Sequence, residues 1–359
     1  MTTDDVLRGQ PPLFDIPLDA AAGEHSVPHE EEAIRATTDI LLRIVGKAYG
    51  GTDVKALRDV HAISHGCVRG TITIPVLPSD LRQGMFAEQG SFDTIVRFSN
   101  GDGVGAGGAP EDDIKSMMRG MAIKVLGVPG RKLLKAQEGA TTQDFLLVNR
   151  PEFFLRNIVD YVGAMKFAEG SIPRIGGFLA KHPAAAARLV LSGLSLRFDR
   201  NQIDNPLNTT YFSKLPYRYG SLVVKYRARP CDPVPVVVPS NPPARYLRAA
   251  MKAQLDAAGG DQREGACFAF EIQRHRDEDI EDATLRWSAP FEEIARITIP
   301  KQEFDTQEQN DACESLSFTP WHSLPAHRPL GSLNRGRKVV YELLSRFRHD
   351  HNGVRQHEP

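Results

Sequence analysis

The chain lacks any run of about 18 consecutive apolar residues, the rough length of a spanning helix, so no transmembrane segment is expected. It also has almost no net charge. Lys and Arg number 44 against 45 Asp and Glu, a formal net charge of −1, and no field remains to draw it to nucleic acid or to an anionic membrane. The opening residues, MTTDDVLRGQPPLFDIP, have no basic start followed by an apolar run, and no signal peptide is read there. Cysteine is scarce and scattered: Cys67, Cys231, Cys267 and Cys313 form no CxxC pair and no zinc-like spacing. A reducing compartment fits that pattern, and the expectation is a cytoplasmic, soluble protein. No internal repeat, low-complexity segment or shift of composition divides the 359 residues, and their 41% hydrophobic content is enough for a large core.

Residues 1–28 carry Pro11, Pro12, Pro17 and Pro28, which forbid a continuous helix, and they read as an extended arm. From Glu30 the spacing of Ala33, Ile34, Thr37, Ile40, Leu41, Ile44 and Val45 predicts an amphipathic helix, with three glutamates in its first turn and Gly50-Gly51 as its stop. Eight short strand-like runs follow: VRGTITIPVL, DTIVRFS, GMAIKVLG, DFLLV, SLVVKYRAR, CFAFEIQ, ATLRW and ARITIP. Without regular helical alternation they point to an antiparallel barrel rather than a parallel βαβ sheet. Residues 152–198 have helical periodicity between the strands, and a last helical run covers roughly 334–349.

Taken singly, the residues that could carry chemistry are commonplace. His61 follows Arg58 by three positions in RDVHAISHG. In LNRGRKVVYELLSRFRHDH, Arg337 and Tyr341 stand four apart on one helical face, with Arg346 and Arg348 beyond. A guanidinium beside a phenol favours the phenolate, and a tyrosinate can ligate ferric iron. The same spacing also suits a basic helix with a tyrosine packed on its arginine. His61 and His65 form HxxxH, but the zincin glutamate is missing and strand follows, so zinc is not expected. His322 and His327 flank Pro325 in a turn-rich segment and read as structural.

In order, five segments resemble catalase: Arg58-Asp59-Val60-His61-Ala62, Val96-Arg97-Phe98-Ser99, Arg119-Gly120-Met121-Ala122-Ile123-Lys124, Pro151-Glu152-Phe153-Phe154-Leu155-Arg156, and Arg337 with Tyr341. The resemblance covers 58–157 and 318–348 directly. The chain is shorter than full-length catalases and is most similar to a shortened branch of that family. The resemblance implies an α+β fold: an eight-stranded antiparallel barrel with surrounding helices and an N-terminal arm, with residues 29–359 as one haem-binding domain. It implies haem b, with Tyr341 as the metal ligand supported by Arg337. His61 is then the acid–base group oriented by Ser99. Arg58, Arg97 and Arg348 become the propionate arginines, and Val60 and Phe153 contact the cofactor. The implied partners are hydrogen peroxide or an organic hydroperoxide, a small reductant, and further copies of the chain in a dimer or tetramer.

Two positions bear on the kind of chemistry. Catalases place an asparagine amide beside the distal histidine. Counting from Asp144 and Pro151 without a gap puts Val148 there, and a register shift would put Asn149 there instead. Val60 is the residue catalases carry before the histidine, where related allene oxide synthases carry threonine. The expected activity is peroxidase-like with weak catalase activity. Rearrangement of a lipid hydroperoxide and a haem-binding barrel without turnover stay open.

Overall fold

The computed structural model describes residues 16–101, 112–116, 118–168, 203–234, 236–238, 240–256 and 264–359, with two further isolated positions, 183 and 187. Nine strands form one antiparallel sheet: β1 Ser64–Ile74, β2 Gly90–Asn100, β3 Arg119–Leu126, β4 Thr142–Val148, β5 Tyr211–Phe212, β6 Tyr217–Tyr219, β7 Leu222–Pro230, β8 Gly265–Arg274 and β9 Phe291–Pro300. Their order is β5-β4-β3-β2-β1-β9-β8-β7-β6, and β5 also pairs with β7. That extra pairing closes eight strands into a barrel and leaves β6 as a hairpin arm of β7.

Seven of the eight expected runs are strands. ATLRW is not; the barrel is closed by the two residues of β5, of which Phe212 lies opposite Val148 on one side and Arg227 on the other. The ATLRW segment is held as turn instead, because Asp282 Oδ1 accepts hydrogen bonds from both the backbone N–H and the hydroxyl of Thr284.

The alternation of side chains gives the barrel two chemically distinct faces. Val96 and Phe98 of β2, Ile123 and Val125 of β3, and Phe145 and Leu147 of β4 point into the interior core. Phe86, from the turn after Gly84, plugs that interior, its ring 5.6 Å from Tyr219 and 6.2 Å from Phe270. Removing each such ring from water stabilises the fold by about 1.5–3 kcal/mol. Arg97, Ser99, Gly120, Ala122, Leu146 and Val148 occupy the alternate positions and face outward.

Against that outer wall packs a layer of helices: α1 Glu30–Tyr49, α2 Ile158–Ala168 and α5 Ser332–Asn352, while α3 Tyr246–Leu255 and α4 Gln307–Ser315 lie elsewhere on the barrel. α1 begins and stops where its sequence pattern predicts, burying Ala33, Ile34, Ile40, Leu41 and Val45. α5 approaches closely because residue 336 is glycine: a Cβ there would stand 2.8 Å from Cδ1 of Ile158. Its register is fixed by the buried Arg335, which pairs with Glu24 at 2.5 Å, Glu30 at 2.5 Å and Glu281 at 2.9 Å. Glu24 lies in the N-terminal arm, whose described part contains a 3-10 turn at Ala20–Ala22 and is tied to the body by Asp19 with Arg218. Residues 1–15, and most of the second half of the helical stretch expected over 152–198, lie outside the described residues.

The cysteines overturn one expectation. All four are paired, Cys67 with Cys313 and Cys231 with Cys267, at Cα separations of 5.7 and 5.4 Å. The second pair continues the β7–β8 register one step past Pro230 and Phe268; the first fastens α4 to β1. With sequence separations of 246 and 36 residues, neither is visible in spacing alone. The thiol pattern therefore gives no ground for a reducing compartment or a cytoplasmic location. No helix among the described residues is long and apolar enough to cross a membrane.

Candidate functional site

Between the outer wall of β2–β4 and helices α1, α2 and α5 lies a cavity of about 340 Å³. Its lining is mostly apolar, with Leu41, Leu146, Val148, Phe153, Phe154 and Val340 among the contributors. Five cationic side chains also face it, Arg58, Arg97, Lys214, Arg337 and Arg348, against one acid, Asp59. Burial pushes the Asp59 carboxyl up to about 7, so at neutral pH it offsets that charge only in part.

His61 sits just before β1, where the ladder with β2 is interrupted between Ser64 and Gly66. Its backbone is left-handed at φ 60°, a conformation few residues other than glycine adopt. The segment is held by Asn100 N–H donating to Ile63 O at 2.9 Å and by Arg97 donating to the His61 carbonyl at 2.9 Å. Nδ1 of the ring is 3.0 Å from Ser99 Oγ. Gly120 lies opposite Ser99 in the β2–β3 register, and a Cβ there would collide with Nδ1. Only glycine gives the ring that place. Burial, with the charges of Arg97, Lys214 and Arg337, lowers the His61 pKa to about 3, so the imidazole is neutral at neutral pH.

On α5, Arg337 donates to Tyr341 Oη at 3.1 Å and to Asn334 Oδ1 at 3.0 Å. Asn334 is itself fixed: its amide donates to Pro216 O at 3.1 Å and Leu330 O at 3.0 Å, and its carbonyl accepts from the Trp321 indole at 2.6 Å. The guanidinium is thus aimed from two sides at the phenol.

Arg58, Arg97 and Arg348 converge on Glu314 at the end of α4. Arg58 pairs with its carboxylate, Arg97 does so at 3.3 Å, and Arg348 donates to its backbone carbonyl. Burial works against the Glu314 anion, but the three guanidinium charges prevail and hold its pKa at about 2. Burial, and then the neighbouring Arg58 charge, has the reverse effect on the cations, lowering Arg97 to about 10 and Arg348 to about 9. Nε of Arg97 is buried without a partner. One carboxylate among three arginines leaves unmet demand for anionic oxygen.

The remaining candidates divide. Val60 and Phe153 line the cavity, as does Val148 at the end of β4. Asn149 does not: its Oδ1 accepts from Arg119 N–H at 2.7 Å and its N–H donates to Arg119 O at 3.0 Å, which commits the amide to the edge of β3. His65 is fully buried, 3.1 Å from Asn100. His322 contacts Thr142 and Gln137, and His327 accepts from Met85 N–H, so both are structural groups of the barrel end. Lys214, Asn334 and Glu314 gave no sequence signal, since each acquires its place through contacts far along the chain. No His, Cys, Asp and Glu cluster suited to a metal ion occurs among the described residues.

Many solved structures share this architecture, three catalases among them. A fungal catalase superposes with a TM-score of 0.62 at 17% identity, over 81% of this chain and 59% of its own. Catalase A from Saccharomyces cerevisiae gives 0.59 at 16%, over 81% and 61%, and a bacterial catalase gives 0.59 at 18%, over 100% and 69%. The chain has the catalase fold. It spans about three fifths of the length of the first two neighbours. No protein-family profile and no curated protein sequence matches it. At these identities the likeness concerns the catalase fold alone, and the chemistry is argued from the cavity's own residues.

Proposed function

We propose that the chain is a haem-dependent peroxidase that reduces hydrogen peroxide or organic hydroperoxides and has weak catalase activity. The observation that carries this reading is the meeting of two preorganised pairs in one cavity, His61 with Ser99 on the barrel side and Arg337 with Tyr341 on α5. The donor set suits a flat, apolar group bearing two carboxylates. Tyr341 Oη would ligate the iron, with Arg337 against the phenol, and Arg58, Arg97 and Arg348 would hold the propionates. Paired cations offset the cost of burying those carboxylates.

When bound, the haem supplies a redox-active iron at which a peroxide O–O bond can be cleaved. His61 is neutral and held by Ser99, so its ring can accept the proton of the entering peroxide and return it to the departing oxygen; general acid–base catalysis of this kind contributes about 10²–10⁴-fold. Val148 and the phenylalanines offer apolar contact and no polar donor, which suits an alkyl hydroperoxide better than small, polar hydrogen peroxide.

The test is the absorption spectrum of the purified protein, before and after added haem, followed while peroxide is introduced. A spectrum of one tyrosinate-ligated ferric haem per chain that changes on peroxide addition and returns with an organic reductant is expected. A protein that takes up no haem, or whose spectrum is indifferent to every peroxide, overturns the proposal.

A further inference from the structure

Lys214 lies in the same cavity and has no part in the chemistry proposed above. The turn that carries it is bolted to β7: Ser213 N–H donates to Tyr226 O at 2.9 Å, Tyr226 N–H donates to Ser213 Oγ at 3.0 Å, and Ser213 Oγ donates to Leu215 O at 2.9 Å. Held from both sides, Lys214 adopts φ 59°, a left-handed conformation that a lysine rarely takes. Strained residues of this kind cluster at functional sites.

The side chain is buried, and its ammonium lacks an adequate partner. Nζ is 3.5 Å from Met118 Sδ, a weak acceptor, and 5.1 Å from the centroid of the Phe153 ring. No carboxylate forms an ion pair with it among the described residues. Glu152 acts on it only through its charge, and lies 3.6 Å from Arg286. Burial, then the charges of Arg150 and Arg337, lower the Lys214 pKa to about 7. A buried cation without a counterion is a standing cost that an arriving anion removes. Met118, Phe153, Phe154 and Leu215 line the same cavity and carry no charge.

We propose that Lys214 anchors the carboxylate of an organic acid, so that the cavity selects acidic hydroperoxides with an apolar body over neutral ones. The assignment of a hydroperoxide as the ligand rests on the peroxidase function proposed above; the carboxylate anchor itself rests on the unpaired ammonium. Arg58, Arg97 and Arg348 already share Glu314, whereas Lys214 shares no carboxylate.

Calorimetric titration of the purified full chain with octanoate and with octanamide, slightly below neutral pH, tests this directly. Octanoate should bind about ten- to a hundredfold more tightly than the isosteric amide, the usual gain from a charge-assisted hydrogen bond. Lys214→Met should abolish the difference while leaving octanamide binding unchanged, and Lys214→Arg should keep it. Equal affinities in the natural protein, which needs no variant to measure, would overturn the proposal, as would a preference that survives Lys214→Met. So would loss of haem in Lys214→Met with the octanoate preference intact, because the lysine would then serve the cofactor's own carboxylate. The two proposals fail separately. A clear octanoate preference in a protein inert to peroxides leaves the anchor and removes the peroxidase, while normal turnover of cumene hydroperoxide with no preference removes the anchor alone.

Discussion

The two faces of strands β2–β4 meet opposite environments. Inside the barrel, Phe98, Phe145 and their neighbours pack in an aromatic core, and an imidazole at its end, His327, is uncharged, its pKa lowered to about 3 by burial and its ring engaged with Met85 and Tyr226. One residue along the same strands, Arg97, Ser99 and Val148 face a cavity in which five cations gather. The interior is filled by its own packed side chains. The outer wall accumulates charge that is met only in part: among the described residues Glu314 is the one carboxylate paired with Arg58 and Arg97, and no carboxylate pairs with Lys214. Excess buried charge of one sign makes this face the candidate binding face.

Substitutions on the two faces should therefore fail differently. The largest effect is expected from Tyr341→Phe, which should lose most of the haem and with it all turnover while leaving the fold intact; full haem content with an unchanged spectrum would exclude Tyr341 as the ligand. His61→Ala should retain haem but slow the reaction with peroxide by about 10²–10⁴-fold, measured by stopped-flow absorbance. An unchanged rate would transfer the proton steps to another group or to water.

Phe98→Ala, on the face of β2 opposite to Arg97 and Ser99, should cost about 3–5 kcal/mol in urea unfolding with no change in the haem spectrum. If it perturbs the spectrum as strongly as the stability, the two faces are not independent. Val148→Asn should raise oxygen evolution from hydrogen peroxide, by up to about 10²-fold, more than it raises oxidation of an organic reductant, since it restores one polar donor to an apolar wall. Rapid oxygen evolution by the natural protein would show that this donor is dispensable.

The smallest effect concerns Glu314. Its folded pKa of about 2 lies below the ordinary 4.5, so the folded state holds fewer protons than the unfolded one between those values. The stability it contributes is complete above about 4.5 and is lost as pH falls toward about 2. Because the side chain is 30% exposed and solvent screens the pair, the loss should be only about 1 kcal/mol. Haem-free Glu314→Gln should lack this segment of the acid-denaturation curve. A curve that coincides with that of the natural protein would mean that the arginines draw no net stability from the carboxylate.

Much of the architecture is legible in the amino-acid order because it depends on local periodicity. The strand at Val96–Ser99 and helix α1 follow from spacings of two and 3.6 residues, and Arg337 meets Tyr341 because four positions make one helical turn. ATLRW misled because its apolar content resembles a strand while Asp282 makes a turn of it. β5 escaped notice because two residues carry no period at all.

The sequence by itself determined an antiparallel barrel with helices and the proximity of Arg337 to Tyr341. Only the tertiary structure decided which outward positions share a wall, that Val148 and not Asn149 faces the cavity, that Cys67 and Cys313 pair, and that Lys214 meets no carboxylate among the described residues. These are relations between groups dozens to hundreds of residues apart. Their free energies depend on burial and distance, and neither quantity exists until the chain has closed upon itself.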